Sequence, residues 1–158
     1  MRPQPEQDER EAVHAVDLGI ISLQAAPGWR FYPLADRVVA RPASGVGGIT
    51  FIRLPGDALP GAPSHERCMG AAVVASKFEV DPPGVDRAQE WADGCLAGGE
   101  SFVAGGDFAR IWYRHTPEGI IAAWFACKVE RATERGVITS IHQGDKMIST
   151  IRIPPPLS

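Results

Sequence analysis

The chain has 158 residues, 44% hydrophobic and 22% charged, values typical of a single globular domain with its own core. The net charge of −3 and the lack of a basic run argue against a nucleic-acid partner. No segment approaches the roughly 20 apolar residues of a membrane span, and the first residues carry no secretory signal, so we expect a cytoplasmic protein of bacterial type that does not bind membranes.

The first part of the chain alternates short β-prone segments with turns. Residues 1–12 are polar and charged and are predicted to form a disordered tail ahead of one domain over residues 13–158. Three stretches rich in apolar and β-branched residues favour strands: 16–23, 38–40 and 48–54. A turn at residues 25–28 leads to Trp29, and prolines and glycines make residues 55–63 a loop.

Two helices are predicted in the middle of the chain. Ser64 is a suitable N-cap for a helix through residue 77. Residues 70–80 could equally form a strand, but their dense alanine favours the helix. A second helix is predicted to begin at Asp86 and to end at about residue 97, before two glycines. Its apolar stripe at helical spacing would contain Ala88, Trp91, Ala92, Cys95 and Leu96.

The clearest feature is a β-hairpin, residues 108–115 and 120–129, joined by a Thr-Pro-Glu-Gly turn. Proline followed by glycine two residues later suits a type I turn closed by a glycine bulge, which would pair Thr116 with Ile120. In that register one face is apolar core, comprising Ile111, Tyr113, Ile121, Ala123, Phe125, Cys127 and Val129.

The other face of the hairpin would hold four residues that suggest binding. Trp112 would lie opposite Trp124, with Arg110 and Arg114 beside them. Tryptophan and arginine dominate the energetics of many protein interfaces, so this face is a candidate recognition surface. A helix of the same chain could instead cover the two tryptophans as a second core, because such a face rarely stays bare. Both interpretations remain open at this point.

The last part of the chain favours a further strand and an ambiguous final element. Residues 137–142 are predicted to be a strand, whereas 147–153 could be strand or helix before three prolines. Together the segments predict an α+β fold, an antiparallel sheet of about five to seven strands with two or three helices packed on it.

Residues that could carry chemistry are present, but none forms a recognisable motif. His65 and Cys68 could share a helix face as metal ligands, yet only Cys95 and His142 could complete a tetrahedral site, and neither has a paired neighbour. The three cysteines have no catalytic motif and are expected to be free thiols. The glycine-rich stretches lack the Lys-Ser/Thr of a phosphate loop. We therefore predict no catalytic residue, no metal site and no cofactor.

The order of elements resembles the PsbP/Mog-like superfamily and its DcrB-like relatives, over roughly residues 23–153. The resemblance rests on Pro27-Gly28-Trp29 before the first strand, the strand at 48–54 ahead of a helical region, the central hairpin, and the 145–148 segment, which members make helical. It implies an antiparallel sheet beside helices. No functional residue can be carried over, because no position-specific motif matches.

The resemblance also implies a non-enzymatic role. Members resemble assembly factors, lipoprotein domains and secretion adaptors that hold another protein, sometimes as dimers. We therefore predict a protein-binding domain, an adaptor, secretion chaperone or immunity-type protein, that uses an aromatic and arginine sheet face or a groove. Its partner would be another protein or a second copy in a homodimer. The alternative is a small-molecule-binding protein or enzyme with a pocket near the central hairpin.

Overall fold

The structure is a computed structural model that describes residues 14–55, 59, 61–78, 89–90 and 96–154. The predicted tail over residues 1–12 lies outside them. The elements in chain order are β1 (His14–Asp17), β2 (Ser22–Ala25), β3 (Arg30–Pro33), β4 (Arg37–Arg41), β5 (Ile49–Arg53), α1 (His65–Ser76), β6 (Gln89–Glu90), β7 (Leu96–Ala104), β8 (Asp107–Thr116), β9 (Gly119–Lys128), a 3-10 turn (Val129–Arg131) and α2 (Arg135–Ser149).

Seven of the strands form one antiparallel sheet in the order β3-β4-β5-β9-β8-β7-β6, while β1 and β2 pair as a separate ribbon. The long hairpin β8–β9 lies in the middle of the sheet, between β5 and β7. The predicted fold class is confirmed: an α+β domain whose helices pack on an antiparallel sheet.

The sheet is covered on both sides, and each side has its own core. Helix α2 and the β1–β2 ribbon pack on what we call the α2 side, whose core includes Trp29, Phe51, Trp112, Phe125 and Met147. Helix α1 packs on the opposite, α1 side, whose core includes Cys68, Met69, Ile111, Tyr113 and Ile120. Alternate residues of the central strands point to opposite cores, so both faces of β8 and β9 are buried.

Helix α1 forms where its capping residues predicted it. The Ser64 hydroxyl accepts a hydrogen bond from the Arg67 backbone N–H at 3.2 Å. The helix ends at Ser76 and is capped by Lys77, which adopts a left-handed conformation with a φ of 62° and whose backbone N–H donates to the Val74 carbonyl at 3.1 Å. The helical interpretation of residues 70–76 is confirmed.

The helix predicted from Asp86 to residue 97 is wrong wherever the structure describes it. Gln89–Glu90 is a short strand and Leu96 begins β7; residues 86–88 and 91–95 lie outside the described residues. Gly98 and Gly99 do not end a helix but lie inside β7. A Cβ on Gly98 would stand 2.8 Å from the Tyr113 ring, and one on Gly99 would meet Trp112. These glycines therefore make room for aromatic rings of the neighbouring strand.

The strand predicted over residues 137–142 is also wrong, because that segment is the first half of α2. Its β-branched residues favoured a strand, but the buried positions recur at helical spacing: Val137, Ser140, Gly144, Met147 and Ile148. The resemblance had implied a helix at 145–148, and this is confirmed.

The register of the central hairpin differs from the prediction by one residue. Thr116 pairs with Gly119, not with Ile120, so Trp112 lies opposite Ala123 and Trp124 lies opposite Ile111. The loop therefore holds two residues. The prediction that Trp112 and Trp124 are cross-strand neighbours is wrong, because a slip of one residue moves every side chain to the other face. Pairing with the small Ala123 leaves room for the buried Trp112 indole.

The thiols that the structure describes are free, as predicted. Cys68, on the sheet-facing side of α1, is fully buried, whereas Cys127 is only partly buried, on the α2 side. Full burial had been predicted for Cys127. The remaining cysteine, Cys95, lies outside the described residues.

Candidate functional site

The four residues of the predicted recognition surface do not share a face. Arg110, Trp112 and Arg114 point to the α2 side, and Trp124 points to the α1 side, where it is partly buried. Trp112 is 2% exposed and Arg114 is 7% exposed. The hairpin therefore has no single surface of two tryptophans and two arginines. The alternative, in which a helix of the same chain covers both tryptophans on one face, fits only in part: α2 covers Trp112, whereas Trp124 lies on the other side of the sheet.

Helix α2 is held to the sheet by polar contacts with two tryptophans. The Trp112 indole N–H donates to Asp145 Oδ1 at 2.6 Å, and Arg110 Nη2 contacts the same oxygen at 3.2 Å. Two residues earlier in the helix, Gln143 Oε1 accepts from the Trp29 indole N–H at 2.7 Å. These bonds satisfy indole donors that are otherwise shielded from water, which explains why polar residues occur on the inner side of α2.

Arg114 has a structural contact at the end of the same helix. Its Nε donates to the Ile151 carbonyl at 3.2 Å, just beyond the last turn of α2. A cation there is favourable, because helix C-terminal carbonyls carry partial negative charge. Arg114 also borders a depression of about 620 Å³ beside the hairpin turn, together with Thr116, Glu118 and residues 149–153. The alternative prediction expected a pocket near the central hairpin, and this depression lies there.

A larger groove of about 1040 Å³ runs along the outer side of α1. The helix contributes Gly70, Ala71, Val74 and Ala75, and the chain before it contributes Leu54, Pro55 and Leu59. Val74 is 77% exposed, the largest exposure among the bulky hydrophobic residues that the structure describes. Glu66 and Arg67 stand at one end of the groove. It is therefore an apolar surface with charges at its margin.

The outer side of α1 is unusual for a helix on a protein surface. From Cys68 to Ser76 the helix has no charged residue, although only Cys68, Met69 and Ala72 are buried against the sheet. A surface helix normally carries charged or polar residues opposite its core stripe. Sequence reasoning missed this site, although the uncharged run was visible and could have indicated a helix with two apolar sides.

Beneath α1 lies a buried polar cluster that fixes the position of the helix. His65 Nδ1 lies 3.0 Å from the Tyr113 hydroxyl, and His65 Nε2 lies 2.9 Å from Glu100 Oε2. With the proton on Nε2, the ring donates to Glu100 and accepts from Tyr113. Glu100 is 4% exposed and Tyr113 is fully buried. The cluster thus anchors the first turn of α1 to β7 and β8.

The chemistry of the cluster is that of a packed interior. Burial raises the pKa of the Cys68 thiol to about 11, so the thiol is protonated near neutral pH and is a poor nucleophile. Burial, and then the nearby Cys68 and Glu100, raise the pKa of the Tyr113 hydroxyl. His65 bonds to Tyr113 and Glu100 rather than pairing with Cys68 as a ligand. In the part of the chain that the structure describes, no group of three or more His, Cys, Asp or Glu is placed to hold a metal.

The fold matches solved structures, whereas no family model and no curated protein matches the sequence. The solution structure of cyanobacterial PsbP (CyanoP) from Synechocystis sp. PCC 6803 has a TM-score of 0.55 at 12% identity, covering 91% of this chain and 94% of that one. The domain therefore has a PsbP-like fold, in agreement with the resemblance stated from the sequence.

Two other matches are more distant. A crystal structure from Bacteroides thetaiotaomicron has a TM-score of 0.47 at 12% identity and covers 91% of this chain, which spans 49% of the length of that chain. LpqN of Mycobacterium tuberculosis, described as involved in cell envelope biogenesis, has a TM-score of 0.42 at 14% identity, with 90% of each chain covered.

Among the described residues, neither α1 nor α2 is long and apolar enough to cross a membrane.

Proposed function

We propose that this domain is a non-enzymatic protein-binding module that holds an apolar helical segment of a partner protein in the groove beside α1. The observation that carries the proposal is the outer side of this helix, which is uncharged from Cys68 to Ser76 and exposes 77% of Val74. A helix that is apolar on two sides is normally buried on both. The partner segment would supply the cover that the described residues do not provide.

The shape of the groove favours a helix as its occupant. Gly70, Ala71, Val74 and Ala75 follow helical spacing on α1, and three of them have small side chains. Small residues let a second helix approach closely, and helix-in-groove binding uses such an apolar seat. Glu66 and Arg67 at the end of the groove could set the direction of the bound segment, since rim charges influence register more than affinity.

The non-enzymatic part of the proposal rests on the buried cluster. His65, Glu100 and Tyr113 are arranged as a hydrogen-bonded chain, but two of them are enclosed and all three hold α1 in place. Arg110, Trp112 and Arg114 likewise contact α2 and its end, so none of these is used in the proposal. Trp124 is partly buried on the α1 side, away from Trp112, and is not used in the proposal either.

A peptide selection tests the proposal without a known partner. A displayed library of helical peptides is selected on the full chain, and the enriched peptides are then measured against Val74→Asp. The matched control is Ile138→Asp, since Ile138 is 43% exposed on α2, on the opposite side of the sheet. We expect amphipathic helical peptides that bind the wild type and Ile138→Asp but not Val74→Asp.

Other results would assign the groove differently. Enriched peptides that are unaffected by Val74→Asp would contradict the proposal. A wild-type dimer in sedimentation that Val74→Asp converts to a monomer would assign the groove to a second copy of the chain. A Val74→Asp variant that loses much of its stability would show that the chain itself covers the groove.

A further inference from the structure

The described elements cover the α1 side of the sheet over only part of its width. Helix α1 packs on β7, β8 and β9, whereas β3 and β4 lie beyond it at the sheet edge. One row of directly opposed residues runs along this side through Tyr32, Val39, Thr50 and Trp124. Tyr32 at its outer end is 47% exposed. Within the described part of the chain, no element therefore covers this face of the β3–β4 hairpin.

Two arginines stand directly opposite each other on that uncovered face. Arg30 on β3 pairs in register with Arg41 on β4, and both side chains are exposed. Opposed residues of antiparallel strands are close neighbours, with Cβ atoms about 4.5–5.5 Å apart, and like charges on directly opposed residues are destabilising. Neither guanidinium has an ion pair or hydrogen bond within the described part of the chain.

Nearby arginines, unlike Arg30 and Arg41, have polar partners. Arg37 on the same hairpin pairs with Asp36 at 3.1 Å, and Arg53 on β5 donates to the Glu118 carbonyl at 2.8 Å. Arg30 and Arg41 instead line one depression of about 790 Å³ with Tyr32 and Val39. Two unpaired guanidiniums beside a tyrosine form a concave surface of positive charge with an apolar margin.

We infer that this surface binds an acidic segment of a partner protein, with a carboxylate held between Arg30 and Arg41. The planar guanidinium fork matches a carboxylate in two parallel hydrogen bonds, and an anion placed there also removes the repulsion between the two cations. Tyr32 and Val39 offer apolar contact to the flanking side chains of such a segment. The surface is separate from the α1 groove and does not depend on the function proposed for it.

The edge of the sheet does not favour binding by strand addition. The Leu34 N–H donates to the Arg37 carbonyl, so in the alternating ladder the main-chain groups of Phe31 and Pro33 face the open edge. Proline has no N–H, and its presence blunts an edge strand. Recognition through the side chains of the hairpin face is therefore favoured over extension of the sheet.

The test is binding of a fluorescent peptide rich in glutamate and aspartate, with the matching glutamine and asparagine peptide as its neutral control. The variants are Arg30→Gln/Arg41→Gln, which removes two positive charges, and the single variants Arg30→Gln, Arg41→Gln and Arg135→Gln, which each remove one. Arg135 is an exposed residue at the start of α2 and serves as the control for the single variants. We expect the double variant to bind the acidic peptide about tenfold more weakly or worse, and Arg135→Gln to bind like the wild type.

Thermal melts show whether weaker binding reflects unfolding of the double variant. Removal of two opposed like charges should leave its melting temperature unchanged or raise it. Equal binding of the acidic peptide by the double variant would overturn the inference. So would equal weakening by Arg135→Gln and the other single variants, which would show a general effect of net charge. Inorganic phosphate that competes as strongly as the peptide would also overturn it and assign the surface to phosphate.

Discussion

The indole N–H of Trp112 donates to Asp145 Oδ1 at 2.6 Å, which ties the middle of the sheet to α2. Arg110 shares the same carboxylate oxygen, and Gly144 packs against the indole ring. One turn of the helix thus supplies both a hydrogen-bond acceptor and close packing for one tryptophan. Arg110 and Trp112, which the sequence suggested as part of a binding surface, instead hold α2 on the sheet.

Loss of this acceptor should destabilise the fold. Asp145→Ala leaves the Trp112 N–H without its partner, and we expect a loss of about 1–3 kcal/mol in the free energy of unfolding. Asp36→Ala removes an exposed carboxylate as a control and should change stability little. Urea denaturation measures both. An Asp145→Ala variant as stable as the wild type would refute the structural role of this bond.

Two glycines within helices should respond to alanine with opposite signs. A Cβ on Gly144 would lie 2.8 Å from the Trp112 ring and 3.1 Å from Ile49, so Gly144→Ala should cost about 1–3 kcal/mol through overpacking. Gly70 in α1 has open space around its Cβ position, so Gly70→Ala should add about 0.5–1 kcal/mol of stability. Melting temperatures that move in the same direction would contradict this packing.

The buried cluster under α1 should behave as a coupled unit. His65→Leu leaves the enclosed Glu100 carboxylate without its partner and should cost about 3–5 kcal/mol. Adding Glu100→Met to that variant removes the stranded charge and should restore much of the loss. The measurement is a double-mutant cycle by chemical denaturation. Additive effects would show that His65 and Glu100 do not interact in solution.

Alkaline pH should weaken the fold through Cys68. Burial raises the pKa of its thiol from 9.0 to about 11, so folding favours the protonated form. That stabilisation is complete below pH 9 and is lost as the pH rises through about 11. The melting temperature should therefore fall over this interval, and Cys68→Ala should reduce the slope. An unchanged slope in the variant would exclude the thiol as a cause.

Much of the fold could be predicted where local signals agreed with the tertiary structure. The Ser64 cap, the strand at residues 48–54 and the central hairpin combined suitable residues with the correct periodicity. The errors occurred where contacts with residues distant in the sequence determine the local structure. Gly98 and Gly99 looked like the end of a helix, but they lie under the rings of Tyr113 and Trp112, which belong to a strand further along the chain.

The candidate sites were harder to predict for a related reason. A shift of one residue in the hairpin turn was enough to separate Trp112 from Trp124, and local turn preferences did not distinguish the two registers. The opposition of Arg30 and Arg41 depends on β3, a strand whose mixed sequence had no clear period. The groove needed Leu54 and Leu59 beside α1, which only the folded chain brings together.

The most direct test of the proposed function is the affinity of one selected helical peptide for three proteins, measured by fluorescence anisotropy. Val74→Asp would place an unpaired carboxylate in an apolar contact, so we expect its affinity to be at least about thirtyfold weaker than that of the wild type. Ile138→Asp, with the same change on the other helix, should match the wild type within about twofold. Equal affinity of all three proteins would contradict the assignment of the α1 groove as the binding site.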